Sequence, residues 1–330
     1  MNRRAFVLAP LAAACARATS GLAQTPTALK RVGWISSAPA NAKAPARQNA
    51  AFEARMRELG WIEGRTIEYL RHGGVENDQL RVEAAARALV AAKVDVIFAP
   101  FGPHAKLARG VTREIPIVFA IVGDPLSAGL VDSLARPGGN ATGPTTQENA
   151  LRELRLQILR EAVPAIRRVA IFMNPDVDWN VSLAKTLAET CAKLKLEALP
   201  IPVRRREDFA AAIERAVHER ADALLHMPDG FYFANRRALV DPVGRTRLAA
   251  SYTNPEYADE GGLMAYAVDI QDIMRKAAEY ADKILRGAKP GDLPVEQASR
   301  FEFVVNLKTA RVQGFKIPQS VLLRATRVIE

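Results

Sequence analysis

The feature that most constrains this chain is the regular alternation of short apolar runs with helical patterns. The runs read as strands lie at residues 31–36, 66–71, 94–99, 116–122, 168–173, 197–202, 223–227 and 247–251. Several are apolar at every position, and Ile117-Val118-Phe119-Ala120-Ile121-Val122 is the clearest. Such a run has no face for solvent, the pattern of a strand covered on both sides in a parallel sheet. Between the runs, apolar residues recur at helical spacing. Phe52, Met56 and Leu59 fall at i, i+4 and i+7, and Ile270, Ile273, Met274, Ala277, Ala281 and Ile284 share one face of a helix over 269–286. The expected class is therefore α/β, built from doubly wound parallel sheets.

The alternation runs through twice, on either side of the turn-rich Arg136-Pro137-Gly138-Gly139-Asn140. A length of 330 residues also suits two units better than one. The C-terminal part breaks the simple string. Gly261-Gly262-Leu263-Met264-Ala265-Tyr266 reads as a further strand, and Gly287-Ala288-Lys289-Pro290-Gly291 ends the helix that follows. The expected division is a first lobe of residues 30–140 and about 266–292, and a second of 141–265 and about 293–330. Crossings near 136–140, 257–267 and 292–303 are expected to act as hinges. The chain is expected to work as a monomer.

Residues 1–23 read as an export leader: Arg3-Arg4, an apolar stretch from Ala5 to Ala16, then Gly21 and Ala23 before Gln24. The arginine pair resembles a twin-arginine signal. A lipid anchor at Cys15 is the alternative, against which stands the poor lipobox Ala12-Ala13-Ala14. The expected location is the periplasm. Cleavage leaves Cys191 as the single cysteine, expected to be a small core residue rather than a reactive thiol.

The net charge of +10 raises the question of nucleic acid. Three of the arginines lie in the leader, and the run Arg204-Arg205-Arg206 is followed at once by Glu207 and Asp208. The charge reads as a solvated surface, without a reader helix for DNA. No apolar run reaches the roughly 18 residues of a membrane span.

Motifs for chemistry are absent. The sequence holds no G-x-G-x-x-G after a strand, no phosphate-binding P-loop and no nucleophile elbow. His72, His104, His218 and His226 lack metal-ligand spacing. His226 is expected in the core or at an edge, and His104 at a strand end near a cleft. No catalytic residue, metal or cofactor is expected.

Ligand contacts are expected in the loops that follow the strands, where doubly wound folds bind small molecules. Those loops supply Ser36, Ser37, Phe101, Gly102, Pro103, Gly123 and Asp124 in the first lobe. Asn174, Asp229, Tyr252 and Glu256 belong to the second, and Tyr266 ends the strand read at 261–266. Helix N-termini after Ser36 and Phe101 offer N–H groups to a carboxylate. Asp229, Asp124 and Glu256 are candidate partners of an amine. Phe101, Tyr252 and Tyr266 are candidates to stack on an aromatic part. Each loop also has a structural reading, with Ser37, Asp176 and Asp229 as N-caps and Gly123-Asp124-Pro125 as a turn.

From Val32 to Glu330 the chain resembles the ABC transporter substrate-binding proteins related to the tryptophan/tyrosine-binding type. The resemblance rests on FEARMRELGWIEGR at 52–65, IPIVF at 115–119, Gly123-Asp124-Pro125 and GLVDSLARPGGN at 129–140. It continues with GGLMAY at 261–266, ILRGAKP at 284–290 and NLKTA at 306–310. It implies a type I periplasmic binding fold, capture of a small molecule (amino acid or carboxylate) between two lobes, and delivery to an ABC transporter permease. Phe101 departs from the small residues usual after the third strand, and Ala267 from the Gly often found after Tyr266; both bear on ligand identity. A sensory receptor that docks on a membrane kinase is the alternative. An enzyme on the same fold would need a nucleophile–base pair or a metal, and neither is visible.

Overall fold

The computed structural model describes residues 29–36, 47–73, 75 and 78–330. The leader at 1–23, Cys15 and Ser37 lie outside them.

In chain order the first part holds β1 (Lys30–Ile35), α1 (Arg47–Glu58), β2 (Ile67–His72), α2 (Gln79–Ala91), β3 (Val96–Phe98), α3 (Gly102–Val111), β4 (Ile117–Val118) and β5 (Ala141–Thr142). The second holds α4 (Glu148–Ala162), β6 (Arg168–Met173), α5 (Asp178–Lys193), β7 (Glu197–Pro202), α6 (Asp208–His218), β8 (Ala223–His226), α7 (Gly230–Ala234), α8 (Arg236–Val243), β9 (Ala249–Tyr252), α9 (Pro255–Asp259) and β10 (Met264–Val268). There follow α10 (Ile270–Leu285), β11 (Phe301–Asn306), α11 (Leu307–Gln313), α12 (Gln319–Leu322) and β12 (Arg327–Ile329).

Two sheets form. The first runs β2-β1-β3-β4-β5, all parallel, and the second runs β12-β11-β10-β9-β8-β6-β7. The five strands β7-β6-β8-β9-β10 repeat the order of the first sheet, so the two doubly wound lobes share one topology. β11 adds antiparallel to β10 and carries β12 beside it.

Alternation along each strand builds the layers. Val32 and Trp34 of β1 face a core completed by Phe52, Met56 and α10, while Ile35 faces one made by α2 and α3. In β6, Val169 and Ile171 face α4 and α5, and Ala170 and Phe172 face α6, α8 and α9. Both sheets are thus covered on two sides, which is why their strands read as unbroken apolar runs. Cys191 is buried in the second lobe, and burial pushes its thiol up to about 11, an inert core residue. Two of the three arginines in the run are paired, Arg204 with Asp176 at 3.2 Å and Arg205 with Asp208 at 3.3 Å. Among the described residues no helix is long and apolar enough to cross a membrane.

The boundaries differ from the expected ones. Residues 136–140 do not cross between lobes. Gly138 N–H donates to Gly291, and the Asn140 amide donates to Thr112 and Ile115, all in the first lobe. The sheet continues to Thr142, so the first crossing spans 143–147. Residues 257–267 belong to α9 and β10 of the second lobe, and the second crossing lies at Val268 and Asp269. Val295 and Ala298 pack in first-lobe cores, which puts the third crossing at 299–300. A chain leaving a sheet must bend within a residue or two, and Gly143 supplies the first bend. Its φ is +151°, and a Cβ there would lie 2.1 Å from the Phe119 carbonyl oxygen.

Candidate functional site

The three crossings lie side by side. Thr145 N–H donates to Glu296 at 2.8 Å, its carbonyl accepts from Ala298 at 3.0 Å, and its hydroxyl donates to Val122 at 2.7 Å. Gln147 donates its amide to Ala298 at 3.1 Å, and Asp269 N–H donates to Arg300 at 3.0 Å. These bonds gather the end of the first sheet, the start of α4 and the end of β10 in one place. The loops at the C-terminal ends of the strands converge there.

In the first lobe, Ser36 ends β1, its N–H donating to His72 at 2.9 Å and its carbonyl accepting from Val75 at 3.3 Å. Phe101 is half-buried at the N-cap of α3, and no side chain caps that helix. Gly102 opens α3, and Pro103 follows, exposed. His104 is buried in the first turn, edge-on to Phe101 with ring centroids 5.4 Å apart. Gly123 packs so closely on α4 that a Cβ would lie 2.8 Å from the Glu148 Cβ. Asp124 is consumed locally. Its carboxylate accepts from the N–H groups of Leu126 and Ser127, from the Ser127 hydroxyl and from the Asn149 amide. An amine would have to compete with all four.

In the second lobe, Asn174 and Asp229 come together: the Asn174 amide donates to Asp229 at 3.4 Å. Asp229 caps α7, accepting from Phe231 N–H at 2.8 Å. Asn180, fully buried, accepts from Asn174 N–H at 3.1 Å and donates to Pro228 at 3.0 Å. It ties the loop after β6 to the loop after β8. Sequence reading missed Asn180, although an amide among the apolar positions of a helix is the signal for such a role. Glu256 is exposed on the first turn of α9.

Tyr252 does not present its ring to a ligand. It is fully buried in the second-lobe core and stacked on Tyr257 with centroids 4.9 Å apart. The cause is register, since β9 runs through Tyr252 and turns that side chain toward the helices. Tyr266 is half-exposed at the crossing. It stacks on Phe301 at 5.8 Å and touches the cores of both lobes. His226 is buried among Tyr232, Tyr252 and Tyr257 at 5.2, 5.8 and 4.9 Å. Burial holds its pKa down at about 3, so the ring is neutral.

α4 fixes the junction. Arg155 donates its Nε to the Tyr266 carbonyl at 2.6 Å and pairs with Glu148, and both groups are largely buried. This ion pair was also missed from sequence. A depression of about 430 Å³ lined by Arg113, Asn140 and Lys289 lies at the N-terminal ends of β4 and β5, at the other end of the strands from these loops. Among the described residues no three His, Cys, Asp or Glu side chains gather as a metal site would require.

Comparison with known proteins agrees with this fold. A protein of Clostridioides difficile strain R20291 described as a tyrosine-binding protein is 24% identical over 260 residues, covering 79% of this chain and 74% of its own. The solved structure of an ABC domain from Streptococcus pneumoniae in complex with L-Trp superposes with a TM-score of 0.78 at 21% identity, over 91% of this chain and all of that one. A conserved domain protein from Vibrio cholerae gives 0.78 at 23% identity, over 91% and 99%. The likeness in structure shows a shared two-lobed fold. The sequence pattern of ABC transporter substrate binding proteins matches residues 48–329, and the chain belongs to that family.

Proposed function

We propose that the protein is an exported receptor that closes its lobes around an amino acid or a related carboxylate and hands it to an ABC transporter permease. The observation that carries this reading is the repeated strand order of the two lobes, with three adjacent crossings at the ends of their strands. Such a junction lets each lobe turn as a body while the strand-end loops close on what lies between them. Half-buried Phe101 and Tyr266 offer aromatic surface, while Asn174 and Asp229 offer polar groups. The relatives described as binding tyrosine and L-Trp favour an amino acid over a sugar. The family favours a permease as partner, and the sequence of the leader favours work in the periplasm.

The test is mass spectrometry of small molecules released by denaturing the purified mature protein. An amino acid or small carboxylate at near one per chain is the expected result. A neutral sugar would overturn the ligand class.

A further inference from the structure

Two arginines lie one turn apart on α4, and their surroundings differ. Arg155 is satisfied by Glu148 and the Tyr266 carbonyl. Arg152 is only 2% exposed, and its one hydrogen bond is a long one, 3.4 Å from Nη1 to the Asn149 side-chain oxygen. Its Nε and Nη2 are shut off from solvent and meet no acceptor. These two nitrogens share one edge of the guanidinium, the edge that takes a carboxylate with two parallel bonds. Arginine does not escape burial by losing its proton, so a charge with no hydrogen-bonded anion stands here, on which Glu148 and Glu153 act only across space. The carboxylate on the same turn, Glu148, is already taken by Arg155.

Position adds the second argument. Asn149, which touches Arg152, donates its amide to Asp124 at 3.2 Å in the strand-end loop of the first lobe. Gly123 of the same loop packs on Glu148. Arg152 therefore sits on the second lobe where the first lobe's binding loop meets it. A buried cation costs heavily unless an anion completes it.

We propose that the Nε and Nη2 edge of Arg152 receives the carboxylate of the captured ligand. This rests on the amino-acid reading above. It moves carboxylate recognition from helix N-termini to one side chain of α4.

The test is titration calorimetry on ligand-stripped protein with the twenty L-amino acids and, for each that binds, its carboxamide. Wild type is compared with Arg152→Gln and Arg152→Met. The expected result is a loss of at least about tenfold for the carboxylate in both variants, with the carboxamide little changed. Both ligand-free variants should unfold at or above the wild-type temperature, because an unpaired buried charge is gone. Equal loss of carboxylate and carboxamide, or no loss of either, overturns the proposal, as does a lower melting temperature in both variants. If wild type binds an amino acid and the variants bind it as tightly, only this inference falls. If wild type binds none of the twenty, the amino-acid reading falls and takes this inference with it.

Discussion

Gly123 is held by contact rather than by conformation. A Cβ would stand 2.8 Å from the first carbon of the Glu148 side chain, which cannot swing away. Gly123→Ala should therefore force α4 off the first lobe and cost about 1–3 kcal/mol, read by thermal or urea unfolding. His226 gives a pH signature. Its folded pKa, about 3, lies below the unfolded value of 6.5, so the unfolded chain binds a proton that the folded chain refuses. That contribution is complete above pH 6.5 and is lost as pH falls toward 3. His226→Phe should flatten this acid limb by up to about 1.4 kcal/mol per pH unit, measured as the difference between the two stability curves. At this scale the sequence was only partly legible. Asp229 and Asn174 could be placed at strand ends, because loops after parallel strands are identifiable from the pattern. That Tyr252 faces the core, and that Asp124 spends its carboxylate on its own turn, depends on register and side-chain direction. Arg152 could not be singled out, since burial of a charged residue on a helix is decided by the elements around it.

Among elements, α4 matters most to the site, because it leaves the first lobe at Gln147 and covers the second-lobe sheet. Arg155→Ala would leave Glu148 buried without its cation and free the Tyr266 carbonyl. The expected cost is about 3–5 kcal/mol, checked by urea unfolding. The longer strands were visible in the sequence; β6 and the edge strand β7 fall on the expected residues. Three strands were not. β5 is two residues long and follows a glycine turn, too short to show any period. β11 begins inside the stretch expected to cross, and it pairs antiparallel with β10, outside the βα rhythm. β12 is three residues at the edge of the sheet. The run 116–122 gives only Ile117–Val118 as strand, because the chain then turns toward the first crossing.

For the whole molecule, the two-lobed plan was legible because a repeated βα alternation leaves few alternatives. The exact crossings were not, because Pro-Gly-Gly turns mark any sharp change of direction and here stay within one lobe. With crossings at 143–147, 268–269 and 299–300 tied to one another by hydrogen bonds, relative motion of the lobes should be a hinge rather than a slide. Small-angle scattering of the ligand-stripped protein, alone and with a saturating amino acid, tests this most directly. Closure around the ligand predicts a smaller radius of gyration in the complex. An unchanged radius at full occupancy, established by calorimetry on the same sample, would contradict it.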